Sequence, residues 1–199
     1  MSKAMAGCRR VAAAPRGAPG EAPRQGRDRP VGRSGRLGVA AGAQGGEATG
    51  PNPTDRGRAG SKHHAVVDAK GVPLAVVTTG ANRNDVTQLV PLVEAIPAAR
   101  GRPGRPLRVP KLVVADGGYD HDKCRMRLSC RGIATAIARR GVPHGSGLGR
   151  RRWYVERTLS WLHQFKRLRV RWERLVGVHD AFVKLACCLI CWRTLERLC

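Results

Sequence analysis

The texture of this 199-residue chain changes abruptly near residue 60, and that boundary limits what can fold. Before it, Ala, Gly, Arg and Pro dominate, Val and Leu are scattered, and neither helical nor strand periodicity is present. Such a segment buries too little apolar surface to offset its ordering entropy. Residues 1–60 are therefore expected to be a disordered basic segment, and residues 61–199 the folded domain.

From Lys62 onward the pattern becomes regular. Two apolar runs, Ala65–Val67 and Pro73–Val77, flank Asp68-Ala69-Lys70-Gly71, which predicts a hairpin. Asp85 is placed to cap a helix whose apolar stripe is Val86, Leu89, Val90, Leu92, Val93 and Ile96. A Pro, Gly and Arg loop over 100–110 leads into a short buried strand, Lys111–Ala115, that ends on Asp116. A Gly-Gly turn, a basic helix over Asp122–Arg131 and an apolar run over Ile133–Ala138 follow. After a Gly-rich loop over 141–149, a long helix starts near Arg151. A last helix spans Asp180–Leu198, with Phe182, Leu185, Ala186, Leu189, Ile190 and Trp192 inward. The order of hairpin, helix, strand, helix, strand, helix, helix predicts a mixed α/β domain.

Charge bears on partners. Lys and Arg number 37 against 14 Asp and Glu, a formal net charge of +23. Self-repulsion of that size favours a polyanionic partner, and counterion release makes nucleic acid the natural one. A base composition rich in Arg, Gly, Ala and Pro codons accounts for part of the excess. The N-terminus lacks the apolar core of a signal peptide, and the longest apolar stretch, Leu185–Trp192, is too short to span a bilayer. A cytoplasmic chain with reduced cysteines is expected. Cys187, Cys188 and Cys191 have no second ligand pair nearby and read as core thiols, not a zinc site.

Two carboxylates stand out. Asp116 ends a buried strand, where ligand sites gather in open α/β sheets; it either caps the turn into the next helix or holds a cation. Glu156 is crowded by Arg150, Arg151, Arg152 and Arg157, which reads either as a surface ion-pair cluster or as a ligand framed by phosphate-binding cations. The residues alone leave both pairs of readings open. His63 and His64 open a strand and either touch DNA or are solvated at a sheet edge. His121 and Asp122 are candidates to support Asp116 from behind.

Taken in order, GGEATGPNPTDRG, GSKHHAVVDAKGVPLAVVTTGANRNDVTQLVPLV, LVVADGGYDHDK, IARRG, HGSGLGRRRW, YVERTLSWLHQFKRLRVRWE and LACCLICWRTL resemble the bacterial DDE-type insertion-sequence transposases. The resemblance runs from about Gly45 to Trp192. It implies a ribonuclease H-like mixed sheet with flanking helices, acting on double-stranded DNA at transposon ends and target. The implied chemistry is metal-dependent cleavage and strand transfer, with two Mg²⁺ or Mn²⁺ ions activating the attacking oxygen and stabilising the leaving one. Carried over by motif, Asp116 is the second Asp of the metal-binding triad and Glu156 its Glu. Arg152, four residues before Glu156, is the catalytic signature's Arg. The signature's Tyr and Lys positions hold Gly149 and His163, with Lys166 close enough to stand in for the Lys. Lys62, Arg150, Arg151, Arg157, Lys166, Arg167 and Arg169, with Arg171 and Arg174 beyond them, are expected to contact DNA phosphates.

The triad's first Asp is expected on a first strand, in the window Gly32–Gln44, and no acid stands there. A frameshift accounts for this. Arg36-Leu37-Gly38 can be encoded CGA CTC GGC, and one nucleotide along the frame reads GAC TCG, Asp-Ser. On that reading the sheet lacks its first strand and the two-metal site is incomplete. The chain is then the C-terminal catalytic portion of a transposase, truncated or frameshifted upstream and able to form a homodimer. It works on DNA in the bacterial cytoplasm, with its activity impaired. The alternative is a non-catalytic, basic DNA-binding remnant.

Overall fold

The computed structural model describes residues 31–42, 45–98, 106, 109–141 and 148–197, with the backbone alone considered at 31–39 and 148–152. The expected loops at 100–110 and 141–149, and the first thirty residues of the expected disordered segment, lie wholly or mostly outside that set.

The element buried most completely is Ala59–Val67 (β3), where small residues and two valines flank a buried Lys62-His63-His64 run. It is buried on both faces because it lies inside the sheet, with strands on either side and helices above and below. Antiparallel to it run Val31–Gly42 (β1) on one side and Pro73–Gly80 (β4) on the other, while the two-residue Gly50–Pro51 (β2) pairs with its first residues. The hairpin expected around Asp68–Gly71 is thus present, and its ladder extends to Ser61 opposite Gly80. Gly71 sits at φ +90°, where a Cβ would also meet the Arg157 guanidinium at 2.7 Å, so only glycine fits the turn.

Beyond β1 the sheet is parallel. Leu112–Ala115 (β5) pairs with β1 in the register Val31↔Leu112 to Arg33↔Val114, and Ala134–Ile137 (β6) pairs with β5. The main order across the sheet is therefore β4, β3, β1, β5, β6, three antiparallel strands followed by two parallel ones. A short Val170–Arg171 (β7) adds to the far end of β1.

The expected absence of the first strand is corrected here. A strand occupies that place, and residues 45–60 contribute β2 and the start of β3 to the same sheet. Four glycines and two arginines in β1 gave no alternating pattern to read. What builds the strand is the pair of neighbours: β3 and β5 both offer unpaired ladders to the gap, and tertiary context overrides weak strand propensity.

Helices cover both faces. On one side Leu148–Gln164 (α3), Lys166–Arg169 (α4) and Val176–Glu196 (α5) bury Val155, Leu159, Leu162, Leu168, Val183, Ala186 and Ile190 against Ala65 and Val67. On the other, Leu89–Glu94 (α1) and Asp122–Ser129 (α2) bury Leu89, Val93 and Leu128 against Val113, Ala115, Ile133 and Ile137. Three expectations change. The segment before α1 is a 3-10 turn over Asp85–Gln88 whose cap is Asn84, the side chain accepting from the Val86 amide, while Asp85 turns inward. In α5, Ala186 and Ile190 do face inward, but Leu185, Leu189 and Trp192 are exposed because that helix covers the sheet with one face only. Cys188 on the same helix is likewise exposed and so is not the core thiol expected, and Cys130 stands in a disulfide where reduced cysteines were expected. Among the described residues, no helix is long and apolar enough to cross a membrane.

Candidate functional site

Asp116 leaves β5 at its C-terminal end and begins a single helical turn over Gly117–Tyr119. Its Oδ1 accepts the Gly118 amide at 2.9 Å, so the turn-capping reading of this residue is realised. The loop behind it is held at several points. Tyr119 is fully buried, with its hydroxyl 3.1 Å from Nδ1 of His64, whose Nε2 lies 2.9 Å from the Thr79 hydroxyl. Arg125 clamps Asp120 through Nε at 3.2 Å and Nη2 at 2.6 Å, and the Arg140 amide adds a third bond. Hydrogen bonding to Arg125 first, and to the Arg140 amide second, holds the Asp120 carboxyl below its ordinary range. Arg140 also donates to the carbonyls of Gly117 and Gly118.

A second carboxylate, absent from the sequence-derived candidates, reaches the same loop. A Cβ added to Gly118 would meet Asp116 Oδ1 at 2.9 Å and Asp85 Oδ2 at 3.4 Å, so this glycine lies against both acids. Asp85 is buried and takes the Lys62 ammonium at 2.8 Å, with Lys62 also donating to the Arg83 carbonyl. Asp85 could be read from sequence only as a helix cap, because nothing local shows that Lys62 lies beneath it. Lys62 consequently differs from the DNA-facing residue expected: its charge is internal and compensated. His63 and His64 are buried in the sheet interior, not at an edge, and His63 Nε2 lies 2.7 Å from Nε2 of His179. His121 caps α2 through Nδ1, and Asp122 is exposed, 3.9 Å from Arg139.

Glu156 lies on the exposed side of α3, a helix that packs on β1, β3 and β5. Arg150, Arg151 and Arg152 fall in its first turns, where the backbone alone is described. Arg157 is spent locally: its guanidinium lies over the rings of Trp153, Tyr154 and Trp161 and donates to the Lys70 carbonyl, tying α3 to the β3–β4 turn. Lys166, Arg167 and Arg169 are exposed on α4, with Arg167 paired to Glu173 at 2.7 Å. Arg171 is buried, donating to Ser61 Oγ at 2.7 Å and to carbonyls of the surrounding loops, and so is unavailable to phosphate.

Continuing the β1–β5 register two residues past Arg33↔Val114 brings Gly35 level with Asp116. Neither Gly35 nor any other residue of β1 is acidic. Among the described residues, no group of three or more His, Cys, Asp or Glu is placed to hold a metal ion. Among the described residues the donors do not make up a two-metal site, because the strand beside Asp116 supplies no acidic ligand.

The fold is a mixed sheet flanked by helices, with Asp116 at the end of the central parallel strand β5 and Glu156 on the covering helix α3. The transposase DDE domain family matches residues 30–191, and the chain belongs to that family. It is 62% identical over 149 residues to the transposase assigned to insertion sequence element IS402 of Burkholderia cepacia, covering 75% of this chain and 71% of that protein. It is also 28% identical over 136 residues to the transposase assigned to insertion sequence element IS6501 of Brucella ovis, covering 65% of this chain and 96% of that one. The match from residue 30 takes in β1.

Proposed function

We propose that this chain is a transposase catalytic domain that engages insertion-sequence DNA but has lost efficient cleavage and strand transfer. The observation that carries this reading is the strand beside Asp116, which comes level with it at Gly35 and bears no acid. We read the sheet as ribonuclease H-like, on the strength of its strand order. In the complete two-metal arrangement, divalent ions would activate the attacking oxygen and stabilise the leaving one. Here Asp116 and Glu156 are the ligands that remain, with Arg152 beside the Glu. Two carboxylates hold Mg²⁺ or Mn²⁺ weakly, since so hard a cation needs several oxygen ligands. Lys166 and Arg169 are the exposed cations best placed for phosphates, and a DNA substrate places the chain on the bacterial nucleoid.

Mg²⁺- or Mn²⁺-dependent nicking of insertion-sequence-end DNA tests the proposal. The unaltered chain is expected to bind the DNA and leave it uncut. Introducing an acid beside Asp116, as Gly35→Asp or Arg36→Asp, is expected to raise Mn²⁺ affinity in calorimetry at least tenfold, and Asp116→Ala is expected to remove that gain. Strand transfer by the unaltered chain, abolished by Asp116→Ala and by Glu156→Ala, would show a working enzyme and overturn the impairment. Binding that no acid at 35 or 36 converts into metal affinity would favour the non-catalytic DNA-binding module.

A further inference from the structure

Helix α5 is apolar on two sides, and the sheet covers one of them. Toward the core it presents His179, Val183, Ala186 and Ile190. On another side Val178, Ala181, Leu185, Cys188, Trp192 and Leu195 are all exposed, Leu185 by 59% and Trp192 by 62%. Their spacing runs three, four, three, four, three residues. That is the 3.5-residue repeat of a two-helix seam, and a helix apolar all round is ordinarily buried all round.

We propose that this seam pairs with the same helix of a second copy, antiparallel, about a two-fold axis between residues 185 and 188. One register satisfies every position. Val178 meets Leu195 of the second copy, Ala181 meets Trp192, and Leu185 meets Cys188, each contact occurring twice as a two-fold interface requires. The smallest residue of the seam thus faces the largest, so the layers fill without voids. A parallel pairing would instead set Trp192 on Trp192 and Lys184 beside Lys184.

Charge permits the pairing although the whole chain carries +23. Within α5, Asp180 and Glu196 balance Lys184 and Arg193, so the two helices do not repel where they meet. Trp172 and Leu175, just before the helix, are exposed as well. Six seam residues per copy fall short of the roughly 800 Å² per partner of a standard stable interface. The dimer is therefore expected to dissociate in the micromolar range.

Sedimentation equilibrium of the full chain, together with a cysteine cross-link, tests the interface and its register. The unaltered chain is expected to dimerise reversibly. Leu185→Glu, and Ala181→Trp, which sets bulk against bulk without adding charge, are each expected to weaken the dimer at least tenfold while thermal unfolding stays unchanged. Leu185→Cys under mild oxidation is expected to give a covalent dimer joined through position 185 and Cys188, identified by peptide mass. A chain that stays monomeric to about 100 µM, far above the expected dissociation range, overturns the proposal, as do cross-links between the two Cys188 residues of unaltered copies.

Discussion

Lys62 and Asp85 form a buried ion pair directly behind the loop that carries Asp116, and its worth lies in being complete. Each charge is desolvated, so removing one leaves the other unpaired at a cost of about 3–5 kcal/mol. Lys62→Met is expected to lower the free energy of unfolding by that order, whereas Lys62→Met combined with Asp85→Leu recovers much of it; urea titration of the three chains checks this. A pH dependence follows from the histidines. Burial, and next the proximity of His179, push the His63 pKa from 6.5 to about 3, and burial also lowers His179 and His163. Below pH 6.5 the unfolded chain binds protons that the folded chain resists, so this stability is complete above 6.5 and is lost as pH falls toward about 3. Each pH unit in that window costs about 1.4 kcal/mol through His63. The urea midpoint is expected to fall clearly between pH 7.5 and 5.5, and a flat profile would contradict the buried, neutral histidine pair. None of these pairings was legible in the sequence, because each joins residues on different elements: 62 with 85, 63 with 179, 64 with 119. What local sequence did carry was Asp116 at the end of an apolar run, since a short buried strand and its terminal acid lie side by side in the chain.

At the scale of elements, β1 sets legibility against structure most clearly. The hairpin of β3 and β4, the strand before Asp116 and the helices α2 and α3 announce themselves through apolar runs, turn glycines and periodicity. β1 does not, because its place is defined by backbone ladders to β3 and β5 and not by its own side chains. Such a gap can be filled by any extended backbone free of proline, as ladder hydrogen bonds make no demand on side chains. The outward face of α5 was misread for the opposite reason: an apolar pattern shows that a face seeks cover, without showing what covers it. Removing β1 opens two central ladders to solvent and to other chains. A chain starting at residue 45 is therefore expected to aggregate or lose cooperative unfolding, while one starting at residue 30 unfolds like the full chain. Indistinguishable melting curves for the two would place β1 outside the cooperative unit.

For the whole molecule the decisive quantity is charge, and its distribution matters more than its sum. Several cations counted toward DNA binding are spent internally: Lys62 on Asp85, Arg157 on three aromatic rings, Arg171 on buried carbonyls and Ser61. The exposed remainder on α4, Lys166 and Arg169, is what a polyanion would meet. Binding through such contacts is driven by counterion release, so affinity falls with salt at a slope set by the number of phosphates engaged. With six to ten phosphates engaged, affinity for duplex DNA is expected to drop by about 10³–10⁵ between 50 and 200 mM salt. Neutralising Lys166 and Arg169 together is expected to reduce the log–log slope by about 2, with little change among unrelated duplex sequences. Lys62→Met, in contrast, is expected to leave the slope unchanged wherever the protein remains folded, because that ammonium never faces solvent. Fluorescence anisotropy on two duplexes across a salt series measures all three slopes. A slope that follows Lys62 and ignores α4 would put the DNA on a different face of the sheet.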